Sequence, residues 1–138
     1  MAQFATELFV QCVYGAEISY EELLTLEGEI KVALTDVMEK NGGEYIHFEE
    51  MGDTMRMQCV FPEFDENLFH AVCEGAANLM DGRVEARMLF VDKDLDGALF
   101  YTLSDGDWQE CMVGLAPAGP ITIAQRDKDP LPRRRVSS

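Results

Sequence analysis

An α+β fold, with two helices laid on one face of an antiparallel sheet, is predicted by three features of the 138-residue chain. Apolar and polar residues alternate with a period of two through several short segments. Two longer segments carry apolar stripes at helical spacing, each behind a capping residue. Between the short segments stand Gly-Asp and Asp-Gly turn signals.

The elements follow in order. From Phe4 to Tyr14 the even positions are Phe4, Thr6, Leu8, Val10, Cys12 and Tyr14, while Glu7 and Gln11 fall on odd positions, so this segment is a strand. Ser19-Tyr20-Glu21-Glu22 has capping-box spacing, with Ser19 at the N-cap and Glu22 at N3. Leu23, Leu26, Ile30, Ala33, Leu34, Val37 and Met38 then form a helical stripe, and Asn41-Gly42-Gly43 stops it, giving a helix over roughly 20–40 with Gly28 as its weak point.

Two strands are expected next, Glu44–Met51 and Thr54–Phe61, joined by a tight turn at Gly52-Asp53. Pro62 ends the second. Asp65 caps the second helix, whose stripe is Leu68, Phe69, Val72, Cys73, Ala76, Leu79 and Met80, with Phe64 against Phe69 at hydrophobic-staple spacing and Asp81-Gly82 closing it. Strands over Val84–Val91, Ala98–Leu103 and Trp108–Leu115 complete the body, with turns at Asp96-Gly97 and Ser104-Asp105-Gly106-Asp107.

The order β-α-β-β-α-β-β-β matches, in its first six elements, the split β-α-β plan of a ferredoxin-like fold, with a C-terminal β-hairpin added. Both sheet faces hold apolar residues: Phe9 and Val13 oppose the main stripe of the first strand, and Ile46 and Phe48 oppose Tyr45 and Met51. One layer of helices covers one face. The other needs the extra hairpin and tail, or a second subunit, and a homodimer or partner interface is the favoured cover.

Charge divides the chain. Residues 1–125 hold 24 acids and 6 bases, a net of -18, whereas residues 126–138 hold five bases and two acids, a net of +3. The expected organisation is a single acidic domain over residues 1–115 and a Pro/Gly-rich, basic, flexible tail over 116–138, in which Ile121-Thr122-Ile123 could add a short strand. A body this acidic is unsuited to direct nucleic-acid binding. No apolar run approaches the ~20 residues of a membrane span, and no secretory signal opens the chain. Four widely spaced cysteines without a Cys-x-x-Cys pair read as reduced thiols, so the expected compartment is cytoplasmic.

Candidate chemistry is sparse. Asp92-Lys93-Asp94-Leu95-Asp96-Gly97 matches the first half of an EF-hand loop, with carboxylates at positions 1, 3 and 5, glycine at 6 and Leu99 at 8. Position 12 is Leu103 rather than a bidentate Glu, so a solvated hairpin turn is the preferred reading. His70 and Cys73 share one side of the second helix and, with Cys12 and Cys59, make a Cys₃His zinc site conceivable, although buried cysteine is also ordinary core filling. His47 beside Glu49 is a His–carboxylate pair that a charged outer strand face explains equally well. Met51, Met55 and Met57 suit core filling better than an adaptable binding surface. Arg134-Arg135-Val136-Ser137 has the form that basophilic kinases read.

No enzyme constellation and no cofactor are expected. The leading expectation is a non-enzymatic interaction protein whose acidic surface, taken as Glu21, Glu22, Glu49, Glu50, Asp92, Asp94, Asp96, Asp105 and Asp107, binds a basic partner protein. In size and charge the chain resembles small phage-encoded DNA mimics such as anti-CRISPR inhibitors, which implies the groove of a nucleic-acid-binding protein as target. The alternative is a dimeric small-ligand or metal-binding domain, with Asp92, Asp94 and Asp96 or the His70 and Cys73 region as its site.

Overall fold

A computed structural model describes residues 4–94 and 97–113. Its elements run β1 (Thr6–Tyr14), α1 (Tyr20–Lys40), β2 (Glu44–Glu50), β3 (Thr54–Phe61), α2 (Glu66–Ala77), β4 (Val84–Asp92), β5 (Ala98–Ser104) and β6 (Asp107–Val113). The six strands form one open antiparallel sheet in the order β2-β3-β1-β4-β5-β6, so the fold is α+β. Leu115 and Ile121–Ile123, expected in strands, and the 116–138 tail lie outside the described residues, as does Asp96.

Local chemistry sets the helix ends. Ser19 Oγ accepts from the Glu22 backbone N–H at 3.2 Å, satisfying one of the orphan donors of the first turn of α1. The reciprocal half of the capping box is not made, because the Glu22 carboxylate turns outward to Arg83. At the other end Gly42 takes a φ of +88°, and the Gly43 N–H bonds the Met38 carbonyl at 2.7 Å. Asp65 caps α2 through the Asn67 N–H at 3.0 Å, with Phe64 packed edge-on to Phe69 at 5.0 Å. α2 is shorter than its apolar stripe implies: Asn78 caps it, and Leu79 and Met80 bond back three residues to the Ala76 and Ala77 carbonyls. That tightened last turn still drops Met80 into the core, which is why the stripe continues past the helix.

The helix-facing side of the sheet is the even face of β1 (Leu8, Val10, Cys12, Tyr14), the odd face of β3 (Met55, Met57, Cys59, Phe61), and Met88, Phe90, Tyr101 and Leu103 from β4 and β5, all buried. Leu26, Ile30, Leu34 and Met38 of α1 and Phe69, Val72, Cys73 and Ala76 of α2 close over it. Ile46 and Phe48 pack against this core, leaving His47 and Glu49 on the opposite face. Phe69 stacks on Phe90 at 4.0 Å, joining α2 to the sheet centre. No helix among the described residues is long and apolar enough to cross a membrane.

Candidate functional site

The sheet face without helices carries a groove of about 560 Å³ across its centre. Cross-strand register explains its lining. One row of residues runs Glu49, Arg56, Gln11, Arg87, Thr102, Gln109 from β2 to β6. The next runs His47, Gln58, Phe9, Leu89, Phe100, Cys111. Phe9, Leu89 and Phe100 therefore form an apolar floor beside a polar row in which Arg56 and Arg87 stand on either side of Gln11. Two strand spacings put their backbones about 10 Å apart.

Lys93 and these two arginines are the described Lys and Arg residues outside any ion pair. Lys31 is paired with Glu50, Lys40 with Asp36 at 3.7 Å, and Arg83 with Asp81 at 2.8 Å, yet among the described residues Arg56 and Arg87 are in no ion pair. Both are exposed, at the rim of an apolar surface that leaves Phe9 42 % exposed and Val13 37 % exposed. A cationic pair over an aromatic floor matches a molecule with an anionic group and an apolar body.

The acidic residues expected to form a partner surface divide between the two ends of the sheet. Glu21 and Glu22 open α1 at the end of the sheet where β1 finishes, the same end as Glu49 and Glu50 of edge strand β2 and, toward the other edge, Asp105 and Asp107 at the β5–β6 turn. Asp92 and Asp94 lie at the opposite end, after β4. Several are committed to local structure. Lys31 bonds Glu50 and holds its carboxyl below the ordinary range, and Glu22 is 3.6 Å from the Arg83 guanidinium. Asp107 accepts from the Trp108 N–H and Asp92 from the Asp94 N–H, so the Asp92 carboxylate shapes a turn of the kind a hairpin end requires.

The Cys₃His grouping is not formed. Cys12 sits opposite Met55 and Cys59 opposite Leu8, about 13 Å apart along the strands. Burial pushes the Cys12, Cys59 and Cys73 thiols up to about 12, with Glu27 adding to the effect on Cys12 and Glu110 and Glu74 on Cys73. At neutral pH these are protonated core side chains rather than thiolates. Among the described residues, the metal-ligating side chains that do converge are Glu66, His70 and Glu110. Only His70 of these was singled out by the sequence, and its expected neighbour Cys73 points into the core.

No protein-family model matches the chain, and no curated protein matches it either.

Proposed function

We propose that this is a non-enzymatic binding protein whose sheet-face groove takes a small anionic molecule with an apolar body, such as an aromatic carboxylate or phosphate ester. The observation that carries this reading is the placement of Arg56 and Arg87 on either side of Gln11, in no ion pair among the described residues although Glu49 stands opposite Arg56 in the sheet, above Phe9, Leu89 and Phe100. A carboxylate or phosphate bridging two guanidiniums gains charge-assisted hydrogen bonds, and its apolar part shields the aromatic floor from water. Protonated, buried thiols support binding rather than nucleophilic chemistry.

The amphipathic anion 8-anilino-1-naphthalenesulfonate is the first probe. The folded full-length protein should bind it saturably, and Arg56→Gln with Arg87→Gln should weaken that binding at least about tenfold, each guanidinium contributing on the order of 1.5 kcal/mol. Equal affinity in the double variant, with an unchanged circular dichroism spectrum, sinks the reading. If light scattering shows a dimer that excludes the probe, the groove belongs to a second copy instead.

The ferredoxin-like plan is supported by the β2-β3-β1-β4 portion of the strand order, with β5 and β6 extending the sheet beyond β4. A second reading, an acidic surface that binds a basic partner in the manner of a DNA mimic, is favoured by the gathering of Glu21, Glu22, Glu49, Asp105 and Asp107 at one end of the sheet from three separate segments.

A further inference from the structure

We propose that Glu66, His70 and Glu110 form a binding site for a divalent transition-metal cation, with Zn²⁺ as the representative ion. Glu66 and His70 are four residues apart on α2 and so share one face of it, while Glu110 rises from β6 beneath the helix. One ligand atom from each lies within 4.8 Å of the other two. His70 Nε2 is 3.0 Å from Glu110 Oε1. Glu66 is exposed and the other two are half-buried, so the cluster is open to solvent on one side.

A hydrogen-bonded His–Glu pair alone leaves part of this arrangement unexplained. Tyr101 stands opposite Glu110 in the sheet, is fully buried, and its ring meets His70 edge-on at 5.8 Å. Its hydroxyl has no hydrogen-bond partner among the described residues. Glu110 acts on this hydroxyl by its charge and by hydrogen bonding, short of full hydrogen-bond geometry, so the O–H is a donor on the side of that carboxylate. An orphaned buried hydroxyl costs free energy, and a metal-bound water or a reoriented carboxylate would satisfy it. Nothing comparable supports the thiols or the Asp92–Asp94 turn.

The donor set fixes the class of ion. Two carboxylates and one imidazole give oxygen and nitrogen ligands, the mixture that suits Zn²⁺ and its first-row neighbours, whereas the imidazole is a poor ligand for Ca²⁺. Three protein ligands leave further positions for water. On binding, His70 would give up its contact with Glu110 and direct the Nε2 lone pair to the cation, with the ring held by Trp108, whose ring centroid is 4.9 Å away.

Trp108 is the single tryptophan of the chain and therefore reports on the site. The EDTA-treated, dialysed full-length protein is titrated with Zn²⁺ while Trp108 emission is followed, and calorimetry gives the stoichiometry. A saturable emission change at one ion per chain is expected, with no change on adding Ca²⁺. Glu66→Gln and Glu110→Gln should each lower Zn²⁺ affinity at least about tenfold. Glu66 is exposed, so its replacement leaves the fold intact and keeps the test valid if Glu110→Gln misfolds. A wild-type protein that gives no saturable response overturns the proposal, as does a folded Glu66→Gln variant that binds Zn²⁺ as tightly as wild type.

Discussion

Tyr14 and Tyr101 are both buried, at 4 % and 0 % exposure, but their hydroxyls are in opposite situations. Tyr14 donates to Glu27 Oε2 at 3.2 Å, and Glu27 is itself a buried carboxylate on the core stripe of α1. Removing that hydroxyl leaves the carboxylate without its donor, so Tyr14→Phe should destabilise the protein by about 1–3 kcal/mol in urea unfolding. Tyr101→Phe in the metal-free protein loses no hydrogen bond of full geometry and should lie within about 1 kcal/mol of wild type, or above it. Equal losses for the two would show that hydroxyl contacts are not what separates them. The difference was not visible in the sequence, where both residues are simply apolar-face tyrosines of strands. Glu27 in particular looks like a solvent-facing residue of a helix until the fold buries it.

Periodicity and capping determine most of the elements. Ser19, Asp65, the Asn41-Gly42-Gly43 stop and the staple of Phe64 on Phe69 are local signals, and the helix starts and the β3 bounds follow from them. Which strand face meets the helices was not legible, because apolar residues occupy both sides of β1 and β2. The β2–β3 register resolves it by setting His47 against Gln58 and Glu49 against Arg56, a polar pairing that belongs on the outer face. The same dependence on register hid the candidate site. Arg56 and Arg87 are each an ordinary exposed strand residue, and only two strand pairings place them beside Gln11. Glu110 is likewise 40 residues from His70. The β5–β6 turn, by contrast, is strictly local: Asp105 and Gly106 have φ of +53° and +77°, the pattern of a type I′ hairpin. Gly106→Ala should therefore cost more than about 1 kcal/mol in urea unfolding, although its missing Cβ would meet nothing within 4 Å. An unchanged midpoint would mean that the turn relaxes freely.

Across the whole molecule, the net charge of -15 is unevenly arranged. α1 holds six acids against Lys31 and Lys40, both already in ion pairs, whereas the opposite sheet face displays Arg56 and Arg87. On the two proposed readings, the acidic residues would meet a basic partner and the sheet-face groove an anionic molecule. The two kinds of binding should respond differently to salt. Affinity for a basic, nucleic-acid-binding protein should fall steeply as NaCl is raised from about 0.05 to 0.3 M, because exposed charges are screened over a Debye length of about 14 to 6 Å in that range. Partner affinity that stays flat over that range, measured by surface plasmon resonance, would count against an acidic docking surface.

The two edges of the sheet are not equivalent. On β2 the register slips between Glu44 and His47, where Tyr45 adopts a φ of +57°. A bulge of this kind twists the strand and interrupts the row of free backbone donors and acceptors, so β2 makes a poor template for further pairing. β6 pairs with β5 in unbroken register from Asp107 to Val113. Among the described strands β6 therefore presents the more regular edge, and it is the strand that also carries Glu110.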